Sequence, residues 1–263
     1  CDWSSDVCSS DLAFAADGLT FVIAAVVALR LRFPEMPPRP ARTTSLLADT
    51  RAGFRWILSR RPFRWLLAVG ALANFTFAPL LLLLPLLARD RVAVDAAAHH
   101  LPFEEVFAIA NVAGGLGGVL GGVLVSAWGL PRMRKTLIMA CCLAVLGFGE
   151  VLAGAATTVV GLALGMFVGE LLVAPLNTAS YTLWQGLTPP HLLSRALSTR
   201  RFIAQGAFPL GTAVCGALAA EVEPWRVVMG AGVLLLLGVT LQVARPGFAR
   251  LEDDMREAAA RPD

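Results

Sequence analysis

Residues 62–90, PFRWLLAVGALANFTFAPLLLLLPLLARD, decide the fold. No residue between Arg64 and Arg89 carries a charge. At about 1.5 Å of rise per residue, a helix of that length spans the roughly 30 Å hydrocarbon core of a bilayer. It is apolar on every side, and a water-soluble fold can hardly bury such a cylinder. The stretch predicts a membrane-spanning helix. Asn74, Pro79 and Pro85 interrupt it. A simple anchor does not need an amide and two prolines, whereas a helix lining a moving cavity often carries both.

Composition agrees. Hydrophobic residues make up 57% of the chain and charged residues 16%, with a mean hydropathy of +0.68. These values fit a polytopic helical membrane protein embedded in a lipid bilayer. A formal net charge of +3 is too small to indicate nucleic acid as a partner. Cys141, Cys142 and Cys215 fall in apolar segments without metal-ligand spacing and read as reduced packing residues. His99 and His100 are adjacent, so on a helix they point about 100° apart and make a poor metal pair. No metal or cofactor is expected. The chain has no HExxH, no GxSxG and no P-loop, and its glycine pairs lie inside an apolar helix. An enzyme is not the expected reading.

The first twelve residues, CDWSSDVCSSDL, have neither a basic n-region nor an apolar h-region and are no signal peptide. From Asp2 to Leu12 they read as the in-frame translation of a sequencing-library adapter. On that reading Cys1 and Cys8 form no disulfide and the chain is part of a longer gene product. The other reading is a short external polar loop.

Residues 13–32 then read as a spanning helix ending in Arg30 and Arg32, with Asp17 as a helix-start or interface group. Residues 33–61 form a linker and an amphipathic helix. PEMPPRPARTTS is too proline-rich for a helix. SLLADTRAGFRWILSRR sets Leu46, Leu47, Phe54, Ile57 and Leu58 against Arg51, Arg55, Arg60 and Arg61. It is too charged to span and reads as a helix along the membrane surface, an anchor or a gating element.

After the opening stretch, further spans are expected at 106–128, 136–155, 159–183, 202–220 and 227–244. The 106–128 span carries Gly114, Gly118 and Gly122 at a spacing of four, and Gly117 and Gly121 beside them, flat stripes for close helix contact. The turn GLPRMRK concentrates Arg132, Arg134 and Lys135. WQGLTPPHLLSRALSTRR reads as a loop, and the tail from Arg245 as polar and frayed. The fold class is all-α integral membrane with seven spans.

With the turn at 30–64 placed inside, nineteen of the 22 basic residues fall on one side and Arg89, Arg91 and Arg226 on the other. The positive-inside rule then puts the tail in the cytoplasm.

Six polar residues lie at membrane depth: Asn74, Asn111, Glu150, Glu170, Asn177 and Gln205. The two glutamates are the costly ones, and the sequence shows no Arg or Lys at similar depth to pair with them. A carboxyl so placed can take up and release a proton as its cavity opens to each side, as a proton-coupled carrier requires. The alternative is a structural glutamate hydrogen-bonded to a neighbouring helix or paired with a charge elsewhere in a longer protein.

ALANFTFAPLLLLLPLLARD, the preceding SLLADTRAGFRWILSRRP, and PLNTASYTLWQGLTPPHLLSRALS together resemble the drug- and siderophore-exporter branch of the major facilitator superfamily, which includes enterobactin exporters and macrolide efflux proteins. The resemblance covers about 13–246 and aligns with helices 6 to 12 of a twelve-helix transporter. It implies that 62–246 is a C-terminal six-helix bundle and 247–263 a cytoplasmic tail, with the N-terminal half of the transporter missing. It also implies a multi-pass protein of the bacterial cytoplasmic membrane that exports a small, partly apolar substrate by alternating access. Asn74, Pro79, Pro85, Arg89 and Asp90 match its seventh helix, and Asn177, Gln185, Pro189, Arg195 and Ser198 its tenth helix and following loop. Helices seven and ten are implied to face the cavity, which favours Asn74, Asn177 and Glu170 over Glu150 as substrate- or proton-facing groups.

The loop GLPRMRK keeps the positive cluster of the superfamily's gating motif, but Ser126 and Ala127 stand where an acidic residue and its basic partner are usual. Pro190 and Ser194 likewise replace an acidic residue and a glycine. How the cytoplasmic gate, with Arg132, Arg134, Lys135, Gln185 and Arg195, is latched is thus open. A non-transporting receptor or scaffold built from a half-transporter is the other functional reading.

Overall fold

The computed structural model describes residues 3–31, 46–190, 192–245 and 247–260. The proline-rich linker and the last three residues lie outside them. The chain divides into two units, Cys1–Thr44 and Ser45–Asp263. The described part of the first is one helix, α1 (Trp3–Arg30), which runs through Ala13 without interruption.

The second unit opens with α2 (Leu46–Ser59). The decisive stretch forms α3 (Arg61–Leu86), extended by a π-helical turn over Leu87–Arg91 in which the Val92 N–H reaches back to the Leu87 carbonyl. There follow α4 (Ala93–Ala98), α5 (Phe103–Trp128), α6 (Lys135–Ala155), α7 (Val159–Leu171), α8 (Val173–Leu187), α9 (Leu193–Ala219), α10 (Pro224–Val243) and, after a 3₁₀ turn, α11 (Leu251–Ala260). Among the described residues there is no strand, and six stretches are long and apolar enough to cross a membrane. These are Arg61–Arg91, Phe103–Trp128, Lys135–Ala155, Val159–Leu187, Leu193–Ala219 and Pro224–Val243. The span expected at 13–32 is helical but is not among the six.

Three boundaries differ from the sequence reading. The span expected at 159–183 is two helices broken at Leu172, and it continues to Leu187. Pro175 accounts for the break, since it cannot donate to the ladder and its ring crowds the preceding turn. The loop expected at 184–201 shrinks to the few residues between Leu187 and Leu193, so Arg195, Arg200 and Arg201 sit on the first turns of α9. In the described part of the tail, α11 packs against α3, α6 and α8, where a frayed end was expected.

The amphipathic helix rests its apolar side on the bundle. Trp56 and Ile57 are buried, and α2 lies on α9, where Gly53 abuts the Arg195 carbonyl. Trp56, Phe63 and Trp184 form successive edge-to-face pairs, 4.7 and 5.3 Å between centroids, joining α2, α3 and α8 at the basic end of the bundle.

The helix contacts repeat. α3 packs on α9, α5 on α7, and α6 on α10. Exchanging the first three spans for the last three maps this scheme onto itself. At its centre α6 and α10 cross reciprocally: a Cβ on Gly147 would stand 3.1 Å from the Gly232 carbonyl oxygen, and one on Gly232 would stand 2.6 Å from the Gly147 oxygen.

One device recurs in both halves. Pro79 has no N–H, so the Phe75 carbonyl lacks its helical donor, and Pro175 does the same to Leu171. Against each freed carbonyl lies a glycine of a neighbouring helix. A Cβ on Gly211 of α9 would overlap the Phe75 oxygen, and a Cβ on Gly121 of α5 would overlap the Leu171 oxygen. Only a glycine lets the partner backbone come so near, and its Cα hydrogens then face the carbonyl. The glycine register on α5 follows from this. Gly114, Gly117 and Gly121 are buried, whereas at Gly118 and Gly122 an added Cβ would meet nothing within 4 Å.

Two helix starts are capped from elsewhere in the chain. The Glu252 carboxylate of α11 accepts the Lys135 N–H at the start of α6 (2.9 Å), and Asp95 accepts the Val159 N–H at the start of α7 (2.8 Å). A carboxylate at a helix N-terminus satisfies an orphan donor and opposes the positive end of the dipole.

Replacing Gly121 or Gly211 with valine is expected to lower the melting temperature of the detergent-purified protein, at a cost of about 1–3 kcal/mol for overpacking. Gly118→Ala, which meets open space, serves as the control and should leave the melting temperature unchanged. Glu252→Ala is expected to cost about 0.5–2 kcal/mol by the same assay through the lost cap, and Arg134→Ala less than about 1 kcal/mol, because its pair with Asp253 is half-exposed.

Candidate functional site

Asn74 and Asn177, widely separated in sequence, line one recess among α3, α6, α8 and α9. Its volume is ≈ 80 Å³, and Ser180 and Arg200 complete its polar side. The Asn74 Nδ2 donates to the Gly70 carbonyl of its own helix (2.8 Å), which leaves its side-chain oxygen uncommitted. Asn177 stands at an exposed position one turn beyond the Leu172 break. Apolar walls come from Leu66, Leu67, Leu143 and Leu176. Complete small-molecule sites hold about 300–1,000 Å³, so this recess is too small to be one by itself.

Arg200 is the residue that the sequence reading missed. Its guanidinium donates to the Ser180 Oγ (2.8 Å) and lies over the Tyr181 ring, 4.4 Å from the centroid, with Trp184 at 6.0 Å. Placing it in a loop hid it. The apolar spacing of Leu193, Ala196, Leu197 and Ile203 around it was the available signal for a helix.

The two glutamates are not in this recess. Glu170 ends α7 just before the break, half-buried, with its Cγ 3.5 Å from where a Gly114 Cβ would be. Glu150 is fully buried between α6 and α10, beside Gly232, and neither carboxyl oxygen has a hydrogen-bond partner. The helices carrying them meet where a Cβ on Gly149 would overlap the backbone of Gly169, so the two acids stand on either side of one crossing. Asn74 and Glu170 hold matching places, each five residues before the proline that frees a carbonyl. Asn111, which donates to the Phe107 carbonyl, and Gln205 are exposed.

At the basic end, Arg134 pairs with Asp253 (2.8 Å), and Glu252, which caps α6, also receives Arg256 (3.2 Å). The acidic partner absent from positions 126 and 127 is therefore met by α11. Arg132 and Gln185 are exposed, Arg195 is half-buried, and a cavity of ≈ 720 Å³ opens beside Lys135, Gly186, Pro189 and Arg256. Among the described residues no cluster of histidine, cysteine and acidic groups could hold a metal ion.

The sequence is similar to that of an uncharacterized MFS-type transporter, y4rN, of Sinorhizobium fredii (strain NBRC 101917 / NGR234), with 27% identity over 186 residues. The match takes in 71% of this chain and 44% of the relative, so the chain spans less than half the length of that protein. No solved structure matches it. A family model described as Transmembrane secretion effector matches residues 7–260, nearly the whole chain. With its six candidate spans and their paired packing already established, the chain belongs to that family, MFS_3, of membrane transporters of the major facilitator superfamily.

Proposed function

We propose that this chain is the C-terminal part of a proton-coupled secondary transporter that exports a small, partly apolar molecule, of the drug, macrolide or siderophore class, across a bacterial cytoplasmic membrane. The observation that carries the reading is the interruption of one span at Leu172, with Glu170 on one side and Asn177 on the other. Transporters place substrate and coupling-ion groups at such discontinuities, near the interface of their repeats. The family description, with its word secretion, supports outward movement. The exchangeable three-span halves support the C-terminal bundle of a twelve-helix carrier, with α1 as the helix preceding it, the linker and α2 as the central cytoplasmic connection, and α11 in the cytoplasm.

In this mechanism Glu170 takes a proton when its face opens outward and releases it when that face opens to the cytoplasm. Substrate occupies the Asn74–Asn177 wall in the complementary state. Rocking of the two bundles changes which side reaches the site, so the present chain alone supplies half of it and does not transport. Glu150, enclosed between α6 and α10, is the less accessible acid and serves the mechanism second to Glu170. The cluster Arg132, Arg134 and Lys135, latched by α11 through Asp253 and Glu252, forms the cytoplasmic gate.

Glu170→Gln in the full-length gene product, assayed for efflux activity as proton-driven dye accumulation inside inverted vesicles, tests this reading. Efflux should fall by roughly tenfold or more, the scale of a lost proton-transfer group, with expression retained. Unchanged, still proton-dependent efflux removes Glu170 from the mechanism.

A further inference from the structure

We propose that Arg200 makes the Asn74–Asn177 recess a site for an anionic group, so that the molecule carried is an amphipathic organic anion. The assignment rests on the transporter reading above and narrows its substrate.

Arg200 lies seven residues into α9, at the basic end of the bundle, and lines the recess. Here it is held in place and not neutralised. Ser180 accepts one of its five N–H donors, and Tyr181 lies beneath its face. Among the described residues no carboxylate comes within ion-pairing distance of it. A serine and a ring fix the fork in a single orientation, leaving donors unused at the edge of a cavity that it lines. Two acceptors in the plane of a carboxylate, sulfonate or similar oxyanion match that fork.

The rest of the recess fits the same occupant. The Asn177 amide can donate to an oxyanion, and the Asn74 oxygen can accept from a hydroxyl next to it. Leu66, Leu67, Leu143 and Leu176 offer an apolar wall to the remaining body of the ligand. A cationic substrate would meet Arg200 as a like charge, which disfavours it.

Two sources could supply the anion: a carried solute or the headgroup of an anionic lipid. The test separates them with full-length protein in vesicles of phosphatidylcholine alone, and in vesicles with added phosphatidylglycerol. The probes are 1-naphthoate and its uncharged isostere 1-naphthamide, and binding is read by quenching of tryptophan fluorescence, with Trp184 beside the site. In phosphatidylcholine vesicles naphthoate should bind roughly tenfold or more tightly than naphthamide, the scale of one charge-assisted contact. Arg200→Gln should abolish that preference and Arg200→Lys should keep part of it, while naphthamide binding stays constant as the check on folding.

Equal binding of the two probes, or a preference that survives Arg200→Gln, overturns the proposal; so would a carboxylate elsewhere in the full protein that already fills the fork. Loss of the naphthoate preference on adding phosphatidylglycerol assigns the site to lipid and overturns the substrate claim. Proton-driven dye efflux is measured in the same vesicles. Efflux without an anion preference removes only the anion site, whereas an anion preference without transport of any probe removes the transporter reading and leaves the site.

Discussion

A proline inside a membrane-spanning helix leaves a carbonyl without its donor, in a medium with no water to supply one. Each such group costs several kcal/mol in hydrocarbon unless protein covers it. Here Phe75 and Leu171 are left in that position by Pro79 and Pro175, and Gly211 and Gly121 bring neighbouring backbones onto the two oxygens. Much else follows from that requirement. It brings α9 onto α3 at Gly211 and α5 onto the α7–α8 break at Gly121. It also holds the α7–α8 break in protein, where an irregular backbone can be tolerated. The reciprocal crossing of Gly147 and Gly232 then closes the bundle about its centre.

The same two prolines have matching neighbours. Asn74 and Glu170 each stand five residues before one of them, yet one carries an amide and the other a carboxyl, so the pseudo-symmetric scaffold presents unlike groups. The basic end shows a second economy of parts. Where the inter-helix turn lacks its own acidic residue, the terminal helix brings Asp253 to Arg134 and buries Glu252 against the start of α6. The exposed pair contributes little by itself. The buried carboxylate, which satisfies a backbone donor, is what ties α11 to the bundle.

The opening stretch was legible because length without charge admits only one solvent, and the spans at 106–128 and 136–155 were legible on the same ground. The breaks were half-legible: the prolines stand in the sequence, but which glycine answers which carbonyl depends on how helices distant in the chain are brought together. The polarity of the tail and the charge of Arg200 misled for one reason. Both look like marks of solvent, and both belong to groups with specific acceptors or rings waiting on another helix. Ser180, Tyr181 and Glu252 carry no signal that names their partners until the fold supplies them. The repeated pattern of a polar residue five places before a proline, at Asn74 and Glu170, is visible in the sequence.

The account depends on six crossings with the basic turns gathered on one face. The most direct measurement is labelling of single cysteines by a membrane-impermeant maleimide in intact cells, in a background with all five cysteines of the chain replaced. Cysteines at His100 and Glu221 should label from outside, whereas those at Arg132, Pro190 and Asp254 should label only after the membrane is opened. Labelling of Arg132 or Asp254 from outside, or of all five positions on the same side, would contradict it.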